Sequence, residues 1–283
     1  KTRWHRRQGC FFHYGNLNYY SSINITLSGF WLILFTFLRK SRYWIRQLEG
    51  APTQLNLPID RPRPLKQTTN GAHLFFQFPS NMLESLRALC RREGVTLFMT
   101  LLGAFKTLLC RYTNQEDILV VSPIANRNCS EIQGLIGSFS NDLILRTDLS
   151  GNPTFRDLLN RVREVTLEAY AHQEVPVAMV LDKLQIQQNS SYPPLAQVMF
   201  SLQNFPMLPP VLPDIQSKLI PVDTGLVKLD WNMIMTEENN GLTGLFGYNT
   251  DLFDKETITR VLEDFQDLLE SFVANPNCRV WSD

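Results

Sequence analysis

GVTLFMTLLGAFKTLLCRYTNQEDILVVSPIANRNCSEIQGLIGSFSNDLILR, residues 94–146, is the stretch that decides the fold. Thr96 stands where a helix N-cap belongs, because its hydroxyl can accept from a free N–H of the first turn. Leu97, Leu101, Leu102, Phe105, Leu108 and Leu109 then recur at helical spacing on one broad face. Asn114 ends that helix. Ile118–Val121 is a β-branched run closed by Pro123, which suits a buried strand, and Leu143–Leu145 is a second such run. A helix–strand–loop–strand unit of this kind belongs to a mixed α and β fold, a mixed sheet with helices packed on it.

The rest of the chain extends the same pattern in both directions. Upstream, His73–Phe78 alternates and reads as a strand, and Ser80 reads as the cap of a helix with Leu83, Leu86 and Leu89 inward. Downstream, Thr154 and Asp157 have capping-box spacing. Phe155, Leu158, Leu159, Val162 and Val165 line one face of the following helix, and charges fill the other. Leu195–Asn204 reads as a strand with Ala196, Val198, Phe200 and Leu202 on one face. Gln197, Met199, Ser201 and Gln203 alternate onto the other. A proline-rich loop, Phe205–Pro213, separates it from strands near Leu226–Thr236 and Leu242–Tyr248, joined by a turn at 238–241. Asp254 reads as the cap of the last helix, with Phe253 and Ile258 as a hydrophobic staple.

Before residue 70 the pattern changes. Residues 1–40 form an atypical segment, basic and aromatic at first and then apolar over Gly29–Leu38. That run falls short of the 20 or so residues of a membrane span. It has a basic flank but no small-residue cleavage site, so a buried strand or helix is expected rather than a signal peptide or anchor. The chain opens on Lys1, which reads as a fragment or as a start lying upstream. Residues 41–70 hold four prolines and read as an extended connector, with Arg61 and Arg63 as solvated linker charges. Residues 71–283 form the main lobe.

Composition narrows the function. The 283 residues carry 27 basic and 27 acidic side chains, a net charge of zero, which disfavours nucleic-acid binding. The five cysteines are odd in number and lack C-x-x-C spacing. Cys90 and Cys110 fall in helical patterns as buried small hydrophobes, and a reducing, cytoplasmic setting fits. There is no Gly-rich phosphate loop, no metal spacing and no G-x-S-x-G elbow. Among the four histidines, His172 falls at the end of the charged helix, where an imidazole meets the last carbonyls.

Several separated stretches, in order, carry a family resemblance: TLFMTLLGAFKTLLCRYTNQEDILVVSPIANRN (96–128), LIGSFSNDLILRTDLSGNPTF (135–155), AYAHQEVPVAMVLDKL (169–184), PPLAQVMFSLQN (193–204) and GYNTDLFDKETITR (247–260), preceded by YWIRQLEGAP and LPIDRPRP from Tyr43. They resemble the condensation domains of nonribosomal peptide synthetases, specifically the second, C-terminal lobe. The resemblance implies a chloramphenicol acetyltransferase-like fold of two lobes with a tunnel between them. It also implies peptide-bond formation between thioester substrates on the phosphopantetheine arms of carrier proteins, with no cofactor bound by the lobe itself and with adjoining synthetase domains as partners.

The family motifs map onto Gly137, Phe139, Asn141 and Arg146, onto His172, Gln173 and Pro176, and onto Asp230. Glu174 stands for a usual Asp, Gln188-Asn189 for a usual Arg-Asp, and Ala196 for a usual Phe. In such a domain Asn141, Ser201 and Gln203 are the tunnel candidates. The signature His-His-x-x-x-Asp-Gly, whose second histidine is the family's base, is absent from this sequence, and no catalytic residue is assigned. The expectation is a truncated condensation domain, inactive alone. The alternatives are a carrier-binding module without chemistry and a piece of a working enzyme whose first lobe is encoded upstream. A shifted reading frame is one source of residues 1–40.

Overall fold

A computed structural model describes residues 27–185, 189–203, 217, 223–238 and 241–281. It divides into two compact units, residues 1–39 and 40–283. Within the first, the described residues belong to helix α1 (Leu27–Leu48). The apolar run is therefore helical, but Phe35 and Leu38 are exposed, against the expectation of a buried segment. Among the described residues no single helix is long and apolar enough to cross a membrane.

The second unit is a six-stranded mixed sheet. Its elements are β1 (Gly71–Phe78), α2 (Ser80–Glu93), α3 (Leu97–Thr113), β2 (Asp117–Ile124), the single-turn α4 (Ser130–Gln133), β3 (Asn141–Asp148), α5 (Phe155–Ala171), α6 (Val177–Leu184), β4 (Val198–Gln203), β5 (Trp231–Glu238), β6 (Gly241–Asn249) and α7 (Lys255–Ala274). The strand order is β1-β6-β5-β4-β2-β3. β4 runs parallel to β2 and β5; the other pairs are antiparallel.

α2, α3, α5 and α7 cover one face, where Phe105, Phe200 and Phe265 meet edge to face or tilted and Phe155 stacks on Phe272 at 3.8 Å. α3 is buried almost all round, which explains its unbroken apolar wording. It also buries Lys106, whose ammonium donates to the carbonyls of Ile118 (3.2 Å) and Leu145 (2.5 Å) and to Thr147 Oγ1 (2.9 Å). Burial pulls this lysine down to about 7. Cys90 and Cys110 are buried, and burial pushes Cys110 up to about 12.

The local signals fold much as their chemistry dictates. Thr96 accepts from Met99 N–H, and Asn114 closes α3 in the left-handed conformation (φ 56°). Thr154 and Asp157 form the reciprocal capping box. Two caps differ from expectation. Ser80 is the first residue of α2, and Pro79, which has no side-chain acceptor, holds the N-cap position. Asp254 sits at the N-cap of α7, but its carboxylate pairs with Arg61; Asp60 of the connector instead accepts from Asp254 N–H (2.8 Å) and Thr257 Oγ1 (2.9 Å).

Candidate functional site

The face of the sheet away from the four large helices carries the candidate site. Val121, Ile144, Met199 and Ile234 lie on it, together with Asn232 and His73, around a recess of about 560 Å³. Ser201 follows Met199 by two residues and pairs with Ile234, so it shares this face half-buried; Gln203 continues it, exposed. α6 walls one side through Val177 and Leu181, and residues 226–229 wall another.

Strand β4 starts three residues later than its alternation suggests. Ala196 N–H donates to Pro194 O (3.1 Å) across Leu195, whose φ is +74°. This is a γ-turn of the strained kind, seldom adopted by a bulky residue. It resets the alternation: Ala196 lines the recess along with Met199, whereas Gln197 turns inward. The buried Gln197 amide exchanges two bonds with the Leu55 backbone and donates to Asp230 Oδ2 (2.9 Å).

Asp230 is fully buried and receives both guanidinium nitrogens of Arg63 (3.1 and 2.5 Å), which also stacks over Tyr192. Arg63 is thus a paired, nearly buried cation rather than a solvated linker charge. An uncompensated Asp230 in this position would be strongly unfavourable. Residues 55–63 are bound into the lobe by these contacts. Arg61 remains on the surface with Asp254.

The other motif residues build supports. The Asn141 amide donates to Gln173 O and Val175 O (2.8 Å each) and accepts from Val177 N–H (3.2 Å), so its side chain is spent on holding the 173–177 turn. Pro176 caps α6. His172 ends α5; its Nδ1 meets Glu168 O at 2.7 Å, its ring stacks on Tyr43 at 4.1 Å, and its carbonyl accepts from Trp44 Nε1. Arg146 grips Asp117 in a bidentate pair and donates to Gln47 O and Glu49 O, fixing the end of α1 on β3.

Around Gly137 and Phe139 the organiser is Arg127. It donates to the carbonyls of Ile132, Gln133, Leu135 and Gly137 and stacks over Phe139 at 4.4 Å. Leu135 and Ile136 project from this loop into solvent.

One constellation is invisible in the sequence. His73 Nδ1 lies 3.0 Å from Asp223 Oδ1, and the ring borders the recess. Asp223 is held below the usual carboxylate range first by Gly225 N–H and then by His73. Residues 73 and 223 are too distant in sequence for spacing to reveal them. The only trace is a histidine in the alternation of β1.

A family model described as the condensation domain matches residues 36–282. The chain belongs to the condensation domain family. It is 52% identical over 237 residues to one component of the linear gramicidin synthase of Brevibacillus parabrevis, covering 83% of this chain and 5% of that protein. It is 34% identical over 239 residues to surfactin synthase subunit 1 of Bacillus subtilis, covering 84% of this chain and 7% of that one. This condensation domain chain therefore spans a small part of the nonribosomal peptide synthetase proteins it resembles. Among solved structures, a four-domain nonribosomal peptide synthetase, holo-AB3403 bound to AMP and glycine, superposes with a TM-score of 0.79 at 25% identity, over 85% of this chain and 20% of that one. The X-domain from teicoplanin biosynthesis shares the fold, with a TM-score of 0.83 at 23% identity over 89% of this chain and 60% of that one. The match begins at residue 36, inside α1 and five residues before Ser41.

Proposed function

We propose that this lobe is one wall of a tunnel in which two carrier-bound thioesters condense. The acceptor amine attacks the donor thioester carbonyl, an amide forms, and the donor pantetheine leaves as a thiol. The observation that carries this reading is the open face of the sheet, which keeps Met199, Asn232 and Ile234 half-exposed around the recess and Ser201 half-exposed beside Ile234. On this reading Ser201 and Gln203 contact the substrate arms and Asn141 fixes the wall behind them. Carrier proteins, with their phosphopantetheine arms, and adjoining synthetase domains are the partners, in the cytoplasm.

The attacking amine must lose a proton, which calls for a positioned base. The sequence contains no His-His pair, so the lobe alone condenses nothing. Loaded donor and acceptor carrier proteins, incubated with the chain, test this: no product forms, while a pull-down of either carrier succeeds. Turnover by the chain alone would refute the reading and make His73 the candidate base.

A further inference from the structure

We infer that the recess beside the Leu195 turn is a side-chain pocket for an aliphatic aminoacyl group, with Ala196 setting its depth and His73 as a positioning residue that accepts from the amino group. This rests on the open face being a wall for thioester substrates. The volume, about 560 Å³, lies in the range of small-ligand pockets. Its walls are mainly aliphatic: Val121, Ile144, Leu181, Met199 and Ile234. Such a lining rewards an apolar side chain and offers few partners to a polar one.

Ala196 owes its place there to the strained turn. Backbone strain at a buried leucine persists only where its surroundings over-determine it. Here it turns a methyl, rather than the amide of Gln197, toward the recess. Any larger side chain at 196 grows into the volume that a ligand would take.

The polar side of the recess is directional. In the neutral imidazole, with Asp223 accepting from Nδ1–H, the lone pair falls on His73 Nε2, which then accepts. Gly247 stands directly opposite in the strand register. A Cβ at Gly247 would come within 3.0 Å of His73 Cδ2 and 3.2 Å of Nε2, so the glycine makes room for the ring. Among the described residues no hydrogen bond involves His73 Nε2. Asn232 beside it adds a second acceptor, and the Asp142 carboxylate adds negative charge to the lining, with Lys228 the one lysine or arginine among the described residues there. A group bearing N–H donors suits this side.

The test uses the full chain and three stable amide analogues of N-acetylcysteamine thioesters, leucyl, glycyl and 4-methylpentanoyl, titrated by NMR or calorimetry. The leucyl probe binds about tenfold more tightly than the glycyl one. Ala196→Phe brings the two within twofold of each other, and Ala196→Val falls between. His73→Ala weakens the leucyl probe about fivefold and leaves the 4-methylpentanoyl probe, which has no amine, unchanged; His73→Gln restores part of the loss. Equal leucyl and glycyl affinities, an unchanged ratio in Ala196→Phe, equal losses for both six-carbon probes in His73→Ala, or no saturable binding of any probe would each overturn the pocket. Retained amide shifts in β4 and β5 certify the fold of each variant. The carrier pull-down reports separately on the tunnel-wall reading.

Discussion

Replacing Lys106 by methionine should remove a pH dependence from the stability of this fold. The ammonium is fully buried, with three acceptors at 2.5 to 3.2 Å and the charge of Asp117 in its vicinity. Desolvation outweighs that attraction and holds the group at about 7 in the folded chain. In the unfolded chain it returns to about 10.4. Between those values the unfolded state binds more protons, so stability rises with pH. From pH 7 to pH 9 the gain is about 2 kcal/mol, obtained by integrating this one site. Urea denaturation at several pH values reads it as the difference between wild type and Lys106→Met, which cancels the titration of every shared group. The variant should lack the rise while losing roughly 2–4 kcal/mol overall, because two carbonyls and a hydroxyl lose their donor. Parallel profiles for the two proteins would show that the three acceptors keep the ammonium charged throughout, and the desolvation argument would fall.

Four further outcomes follow from other contacts. Arg63→Met leaves Asp230 buried without its cation and should cost about 3–5 kcal/mol, read as a fall in the urea midpoint; loss below about 1 kcal/mol would mean the carboxylate finds water. Asn141→Ala removes three hydrogen bonds from the 173–177 turn and should cost about 2–3 kcal/mol, with faster amide exchange at Val177 as the local signature. At Gly244 an added Cβ would fall 2.0 to 2.6 Å from the Phe76 ring that lies across it, so Gly244→Val should displace that ring and destabilise by about 1–3 kcal/mol in thermal unfolding. Arg127→Ala should speed proteolysis between 128 and 140 while moving the melting temperature little, since among the described residues the guanidinium binds only that loop.

What the sequence conveys is set by range. Thr96, Asn114 and the Thr154–Asp157 box act within four residues, and their chemistry is readable directly. Ser80 misleads because the serine type suggests a cap, whereas Pro79 takes the position by its extended backbone. Arg63 misleads for the opposite reason: its partner Asp230 lies 167 residues away, so a proline-rich context makes it look solvated. The strand at 198–203 is legible as alternation, but Leu195 interrupts the alternation with a turn that a leucine does not advertise. For the same reason alternation alone puts Ala196 on the wrong face. His73 and Asp223 come together only once β1 has taken its place at the edge of the sheet. Residues 205–213, Gln188 and the tip at 239–240 lie outside the described residues.

The place of β1 bears on how the domain is made. Among the described strands it comes first in chain order, and β6, with which it pairs, comes last. Until residue 249 has been synthesised, Gly71–Phe78 lacks its β6 partner, and the hydrophobic sides of α2 and α3 wait beside it. A chain in that interval depends on speed of elongation or on chaperones to stay out of aggregates. Slow codons placed between β1 and β6 should therefore lower the yield of soluble protein more than slow codons placed after α7.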